Sequence, residues 1–356
     1  MPGRLTARLG RQGPIAVFLC ACLTPALAQA PPAAPDGEPM TLVFQYPNGR
    51  EQRFRTTTKM SATTDFGNAG AGIAVPPVDV VLEVRHTEKV VGVRDSIGSL
   101  SLRPERVTVT ANVLGNKLVM TRVGNQTTMT LNGQPAPPGL AAGAPGGPLE
   151  GIGPVVLRRD ARGSISEQKG TTGDNSPLAR INNPAFLLQF PDRPVAVGES
   201  WSVDQNLTLG LPGPPGAGLP EMMFKLKHTL KEVQMRNGRR EALIQTEGNA
   251  AISNISSPMG PQIRNATQAL TGTTRFDLAG GRIAGGAFTM LYSMDMTAPA
   301  GLGAAVGAAP ADGAAAPAQN IKLNGSAEIT LTEEAPAPKP APTRRPSSRR
   351  KPVRRR

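Results

Sequence analysis

The stretch that decides the fold is Phe190–Asp204, which reads F-P-D-R-P-V-A-V-G-E-S-W-S-V-D. Pro191 and Pro194 lack an N–H and disfavour the helical region for the residue before them, so no regular element is expected at the start of the stretch. Apolar residues then lie at alternate positions around Trp201, the only tryptophan, as in a half-buried strand. The stretch therefore predicts a junction that ends one β-rich region and begins the next.

Upstream of this junction the chain reads as an antiparallel meander. Leu42, Phe44 and Tyr46 lie at every second position before Pro47–Arg50, whose Asn-Gly pair tolerates the positive φ values of a hairpin turn. Further strands are predicted by β-branched and threonine-rich runs at residues 52–64, 78–84, 106–113, 117–131 and 155–165. The run at 117–131 folds back at Gly124-Asn125, which makes it a hairpin.

Downstream of the junction the pattern is also that of strands. Runs at 224–234 and 239–252 predict a long hairpin around Asn237-Gly238, and runs at 267–276, 283–296 and 322–332 predict the remaining strands. A helix is indicated only at Asn183–Phe190, where Asn183 is a favourable N-cap and Pro184 fits the first helical position.

We therefore predict a mainly β fold of antiparallel meanders with at most one or two short helices. Two arrangements satisfy the pattern: one curved sheet or half-barrel, or two packed β modules that meet near Phe190–Trp201. The predicted organisation is a signal peptide (1–28), a linker (29–39), an N-terminal β region (40–190), a C-terminal β region (191–334) and a disordered Pro/Arg-rich tail (335–356). Composition rich in Gly, Pro and Ala predicts flexible segments at 132–153, 210–220 and 298–319.

The first 28 residues have the features of a secretory signal peptide. Three arginines precede an apolar run, Ile15–Leu27, that is shorter than the roughly 20 residues a membrane-spanning helix needs. The small-residue pattern before Ala28 predicts cleavage after that residue. The residues before Cys22 resemble a lipobox, so acylation of Cys22 is the alternative. Either outcome predicts export to the periplasm or cell envelope.

The cysteines limit the chemistry that the exported chain can perform. Both of them, Cys20 and Cys22, lie inside the predicted signal peptide. A chain cleaved after Ala28 would therefore have no disulfide, no thiol nucleophile and no cysteine-ligated metal.

The formal charge of +13 is concentrated at the C-terminus. The region between signal peptide and tail is nearly balanced, which gives no charge argument for specific nucleic-acid binding. Clustered basic residues without acids or aromatics instead favour docking on an anionic envelope surface, such as lipid or lipopolysaccharide head groups. The residues predicted to make that contact are Arg344, Arg345, Arg349, Arg350, Lys351, Arg354, Arg355 and Arg356. A solvated tail without a partner is the alternative.

Candidate catalytic and metal-binding residues are few. His86 and His228 lack the close clustering of His, Asp and Glu that metal sites need, apart from Glu83 and Glu88 near His86, so we expect solvated or partly packed strand histidines. Ser200 lies in a Gly-x-Ser sequence without the second glycine or the strand-to-helix context of a nucleophile elbow. We therefore predict no metal and no cofactor, and no catalytic role for Ser200.

Carboxylates offer one remaining route to catalysis. Glu199 with Asp204, or Asp277 with Asp295, could in principle meet in space. Asp204 and Asp277 are expected at turns or strand ends, where a carboxylate ordinarily satisfies backbone N–H groups. A hydrolase would need Glu199 and Asp204 to converge in a cleft.

Three segments together resemble an uncharacterised family of exported bacterial β-rich proteins, known only as a domain of unknown function. They are L-V-F-Q-Y-P-N-G at 42–49, F-P-D-R-P-V-A-V-G-E-S-W at 190–201, and G-T-T-R-F-D with G-R-I at 272–283. The resemblance covers most of residues 40–332, and the central segment is its distinctive part. It implies export and a β architecture, and it brings no activity and no site residues. The Ala/Gly/Pro insertions and the arginine-rich tail depart from it.

These observations favour a non-enzymatic envelope protein that binds a hydrophobic ligand, or a partner protein, on one face of its sheet. A purely structural surface scaffold is the alternative, and a hydrolase is less favoured. Methionines suit an adaptable apolar surface, although core packing explains them equally. The methionines concerned are Met222, Met223, Met290, Met294 and Met296.

Overall fold

The part of the chain that the structure describes forms one antiparallel sheet of fourteen strands. The computed structural model describes residues 38–65, 76–113, 115–136, 154–170, 187–208, 221–255, 262–298 and 319–335, all of which lie in a single compact unit. These ranges contain no helix, and so none that is long and apolar enough to cross a membrane. The prediction of a mainly β fold is confirmed, in its one-sheet form rather than as two packed modules.

The strand bounds are as follows. The first half contains β1 (Glu51–Asp65), β2 (Val78–Arg94), β3 (Ile97–Val113), β4 (Asn116–Val123), β5 (Gln126–Leu131), β6 (Gln134–Pro135), β7 (Val155–Arg159) and β8 (Ile165–Gly170). The second half contains β9 (Ser200–Thr208), β10 (Glu221–Arg236), β11 (Arg239–Ile255), β12 (Gln262–Asp277), β13 (Arg282–Ala298) and β14 (Gln319–Glu334).

Two meanders join side by side to make the sheet. The spatial order is β6-β5-β4-β3-β2-β1-β14-β13-β12-β11-β10-β9, and β7 pairs with β3 and β8 off this path. The halves meet where β1 pairs with β14, for example Thr58 opposite Ile329. The tight turns follow the sequence: Asn237 and Gly238 both have positive φ, as a two-residue hairpin turn requires.

One end of one sheet face is covered by other parts of the chain, and we call it the covered end. The opening segment, residues 40–47, lies against this end. Met40 pairs with Val195, and Phe44 N donates a 2.7 Å hydrogen bond to the backbone oxygen of Ala161. Its buried core includes Phe44, Phe190 and Phe276, whose ring centroids are 4.8–5.3 Å apart. Phe190–Asp204 therefore joins the two halves of the chain and also covers part of this sheet face.

The opening segment corrects one prediction. Leu42, Phe44 and Tyr46 are buried in alternation as expected, but residues 41–47 form no strand of the sheet. Their alternation arises because the extended backbone crosses the sheet face and presents every second side chain to it. The Asn48-Gly49 turn that follows is present, with Gly49 at φ 76°.

Several other predictions fall partly outside the described residues. The helix predicted at Asn183–Phe190 can be judged only from residue 187 onward, where the chain makes a turn and then irregular backbone. Of the segment 132–153 predicted to be flexible, residues 134–135 form β6, and 137–153 lie outside the described ranges. Residues 210–220, 299–318, the signal peptide, linker positions 29–37 and tail positions 336–356 also lie outside them.

Candidate functional site

The sheet has an apolar face and a polar face, which the strand registers define. On one face a single row crosses eleven strands and contains only apolar residues and glycine. We call it the apolar row: Leu131, Leu118, Ala111, Val80, Met60, Ala327, Met290, Leu270, Gly248, Leu226 and Val203. At about 4.8 Å per strand, the row extends about 48 Å across the sheet.

The residues one position along the strands make the opposite face. Their row is Thr130, Val119, Thr110, Val81, Lys59, Glu328, Thr289, Thr271, Glu247, Lys227 and Ser202. Only the two valines are apolar. Charged pairs lie on this face, such as Arg55 with Glu334 at 2.8 Å, so it is the solvent side of the sheet.

The apolar face continues beyond the covered end as two clusters. One includes Phe224, Leu270, Phe288 and Ile329 on β10–β14. The other comprises Leu82, Val107 and Met120 with their neighbours on β2–β5. Within the described ranges, Leu187 is the only member of either cluster that comes from outside the sheet. A sheet face of this composition needs something apolar against it.

The apolar row is less completely buried than the residues of the covered end. Met60, Val80, Leu118 and Met290 are half-buried, whereas Leu100, Val195 and Leu230 in the covered end are fully buried. Methionines are frequent on this face, and their flexible side chains adapt to irregular partners. The methionines that the registers place there are Met60, Met120, Met129, Met290, Met294 and Met296. Met223, in contrast, is 59% exposed on the polar face.

A polar cleft of about 660 Å³ lies near the edge of the first half. It forms where β3 changes partner, since Gly98–Leu102 pairs with β7 and Arg106–Val113 pairs with β4. Between these segments Glu105 is an extra residue in the register with β2, and Pro104 donates no ladder hydrogen bond. We call this the fork cleft. It is lined by Glu51, Thr87, Lys89, Ser101, Arg103, Pro104, Glu105, Arg106, Val107, Arg122, Gly124, Asn125 and Pro154.

The charge of the fork cleft is predominantly positive. Four of its lining side chains are cationic and two are carboxylates. Glu105 is already engaged: Arg53 donates to it at 3.1 and 2.5 Å, and Thr87 donates at 2.6 Å. Burial alone would raise the pKa of Glu105, but these hydrogen bonds and the charges of Arg53 and Arg103 outweigh it and lower that pKa.

The two histidines lie on the apolar face and are more deeply buried than a solvated strand histidine. His228 is fully buried beside Trp201, with ring centroids 5.4 Å apart, and its Nδ1 lies 2.9 Å from Thr246 Oγ1. His86 is buried 5.6 Å from the ring of Phe54. Burial lowers the pKa of each to about 4. The prediction of solvated or partly packed histidines is therefore wrong, because both side chains are buried.

The carboxylates proposed for a hydrolase do not converge. Glu199 accepts hydrogen bonds from Ala196 N at 2.7 Å and from Arg193 at 3.2 Å, and the first of these is the main cause of its lowered pKa. Asp204 lies on the polar face opposite Lys225. Neither residue lines the fork cleft.

The second carboxylate pair is separated by the length of a hairpin. Asp277 accepts from Gly280 N at 2.9 Å, beside the β12–β13 turn. Asp277 pairs with Arg282 at the start of β13. Asp295 lies thirteen residues further along that strand, which is about 40 Å at the usual rise per residue. Asp277 is therefore a turn residue, as predicted.

The remaining candidates have local roles or lie outside the described ranges. The hydroxyl of Ser200 lies 2.8 Å from that of Thr229, on a neighbouring strand. No group of three His, Cys, Asp or Glu able to hold a metal occurs in the part of the chain that the structure describes. The eight arginine and lysine residues predicted to bind an anionic surface lie beyond residue 335, outside that part.

Sequence comparison identifies no relative: no family profile and no curated protein matches the chain. Among solved structures, the chain is similar to one described as lipid-protein interactions in lipovitellin, with 10% identity and a TM-score of 0.43. The similarity covers 83% of this chain and 27% of that one, so the chain spans about a quarter of that protein's length. A likeness this distant carries no functional inference.

Proposed function

We propose that the chain is an exported, non-enzymatic cell-envelope protein that holds a hydrophobic ligand against the apolar face of its sheet. The observation that carries the proposal is the apolar row, which crosses eleven strands without one polar side chain. The covered end shows how this chain buries such a face, with aromatic and aliphatic side chains from other segments.

The size of the face is what favours a ligand over simple core packing. Half-buried apolar side chains recur along the row in both halves of the sheet, at Leu118, Val80, Met60 and Met290. Burying apolar surface contributes about 25 cal/mol per Å², so an elongated apolar molecule along even part of this row would gain several kcal/mol.

Export and envelope location rest on the sequence, as does membership of the exported β-rich family. The predicted signal peptide, with cleavage after Ala28 or acylation at Cys22, brings the chain to the envelope. The basic tail would then hold it at an anionic surface, at about 1 kcal/mol per basic residue near the membrane.

The first experiment is native mass spectrometry of the full-length chain, expressed with its signal in a bacterial host and purified from the envelope without detergent. We expect a reproducible additional mass that denaturation releases, and its identity would give the ligand class. A bare polypeptide mass, together with failure to bind an added alkyl alcohol, would overturn the proposal and favour the structural scaffold.

Two adjacent residues provide a matched pair of variants. Val80 is on the apolar face and Val81, 38% exposed, is on the polar face of the same strand. We expect Val80→Lys to weaken binding of 1-decanol about tenfold or more, because a charge would lie in the apolar row. Val81→Lys should leave the affinity unchanged. Equal effects of the two substitutions would contradict the assignment of the face.

The tail is tested separately with vesicles. The full chain should sediment with vesicles containing an anionic phospholipid and not with zwitterionic ones, and added salt should release it. A chain ending at residue 334 is the control, and equal sedimentation of both forms would show that the tail has no such role.

A further inference from the structure

The fork cleft lies next to the apolar face, and one residue belongs to both. Val107 lines the cleft and is also buried in the apolar cluster with Leu82 and Met120. Arg122, which pairs with Val107 in the register of β3 and β4, lines the cleft as well. Because residues in register share a face, Arg122 projects from the apolar side of the sheet into the cleft.

The other wall of the cleft supplies positive charge from the polar side. Arg103 and Arg106 flank the bulge at Pro104-Glu105, and both are exposed. Within the described ranges neither guanidinium forms an ion pair at 4 Å or less, and the charge of Arg103 acts on Glu105 only from a greater distance. The carboxylate nearest in sequence, Glu105, is engaged by Arg53 and Thr87.

This arrangement positions charge before any ligand is present. The bidentate contact of Arg53 holds Glu105 on the β1 side, and the lowered pKa of Glu105 keeps it charged in that pair. Arg103 and Arg106 thus retain guanidinium donors for another anion. Paired N–H donors of this kind suit phosphate and carboxylate groups.

We propose that the ligand of the apolar face is an anionic amphiphile, whose phosphate or carboxylate group binds in the fork cleft at Arg103 and Arg106. Its apolar part lies along the cluster of Leu82, Val107 and Met120. This inference rests on the proposed function, since it names the chemical class of the ligand that the apolar face holds.

The test compares three probes on the full-length protein by isothermal titration calorimetry: decyl phosphate, 1-decanol and inorganic phosphate. The amphiphiles share a chain length and differ in the charged group. We expect decyl phosphate to bind at least about tenfold more tightly than 1-decanol, the gain usual for charge-assisted hydrogen bonds. Inorganic phosphate alone should bind more weakly than decyl phosphate.

The variant Arg103→Gln/Arg106→Gln should bring decyl phosphate to within about twofold of 1-decanol and leave the affinity for 1-decanol unchanged. The control is Lys225→Ala/Lys227→Ala, which removes two exposed cations from the polar face of β10 and should change neither affinity. Circular dichroism would confirm the fold, and Arg106→Gln alone serves if the double variant does not fold.

The outcomes separate the two proposals. Equal affinity for decyl phosphate and 1-decanol would contradict the binding of an anionic group in the fork cleft. The proposal that the apolar face binds a hydrophobic ligand would be unaffected. If inorganic phosphate binds as tightly as decyl phosphate, the cleft is a site for a free anion, and the proposal of an amphiphilic ligand is wrong. Discrimination that survives in Arg103→Gln/Arg106→Gln would place the anionic group elsewhere. Failure of both amphiphiles to bind would overturn the proposed function as well.

Discussion

The Nε of Arg159 donates a 3.0 Å hydrogen bond to the hydroxyl of Tyr46 beneath the covered end, where Arg159 is 3% exposed. That hydroxyl donates in turn to the backbone oxygen of Asp160 at 2.7 Å. The guanidinium also lies 4.1 Å from the centroid of the Phe44 ring and 3.6 Å from the carboxylate of Glu88. One buried cation thus links the opening segment, β7 and β2.

We expect Arg159→Met to destabilise the protein by about 3–5 kcal/mol, because it leaves the buried carboxylate of Glu88 without its partner. Urea unfolding followed by tryptophan fluorescence measures the loss. Arg159→Met with Glu88→Met should recover part of it, since the buried carboxylate is then removed as well, although Arg50 loses the favourable charge of Glu88. The control Arg94→Met, at an exposed pair with Asp95, should cost less than about 1 kcal/mol. If Arg159→Met also costs less than about 1 kcal/mol, the stabilising role of the buried cation is contradicted.

Gly163 is predicted to tolerate no side chain. Its φ is +98°, and a Cβ there would overlap the backbone oxygen of Leu188 and the ring of Phe44. We expect Gly163→Ala to cost about 2 kcal/mol or more in the free energy of unfolding, because backbone strain and overlap add. The control is Gly92→Ala, where a Cβ meets nothing within 4 Å. Equal stabilities of the two variants would show that the turn moves freely away from the core.

The buried histidines predict loss of stability in acid. The pKa of His86 and of His228 is about 4 in the folded protein, below the usual 6.5. The unfolded chain therefore binds more protons between these values, so stability is complete above pH 6.5 and falls as the pH drops towards 4. Each histidine contributes about 3 kcal/mol of this loss at most.

Urea unfolding at pH 7.0, 6.0 and 5.0 tests this prediction. The double variant His86→Phe/His228→Phe should show a shallower dependence on pH than the parent protein over this range. Glu105 and Glu199, whose pKa values are lowered, add their own loss mainly below their usual pKa of 4.5, so the chosen range isolates the histidines. An unchanged pH dependence would mean that the imidazoles reach water.

Local sequence patterns predicted most strands and turns because those features are set by neighbouring residues. The positive φ of Asn237 and Gly238 is a property of the residues themselves. The pairing of β1 with β14 joins residues more than 250 positions apart, such as Met60 and Ala327, and no local pattern encodes it. The opening segment was assigned to a strand because alternation is the same in a strand and in an extended segment that crosses a sheet.

The site was less accessible from the sequence than the fold. An apolar face was predicted, but the apolar row depends on registers that place Met60 beside Val80 and Ala327. The fork cleft was missed, because it arises where β3 changes partner at the bulge. Its one sequence signal was Pro104, since proline within a strand indicates a bulge or an edge.

The position of β14 leads to the last prediction. It lies between β1 and β13, bonded to both along its length, and Ala327, Ile329 and Leu331 from it are buried on the apolar face. A chain ending at residue 334 should therefore unfold as cooperatively as the full chain. A chain ending at residue 318 should lose the cooperative transition, because β1 and β13 would become exposed edges and the two halves would lose their connection.

Adding a peptide of residues 319–334 to the chain that ends at residue 318 should restore the cooperative transition in part, by strand addition between those edges. Cooperative unfolding of the chain ending at 318, without the peptide, would show that the halves are stable independently and would contradict the single-sheet account of stability.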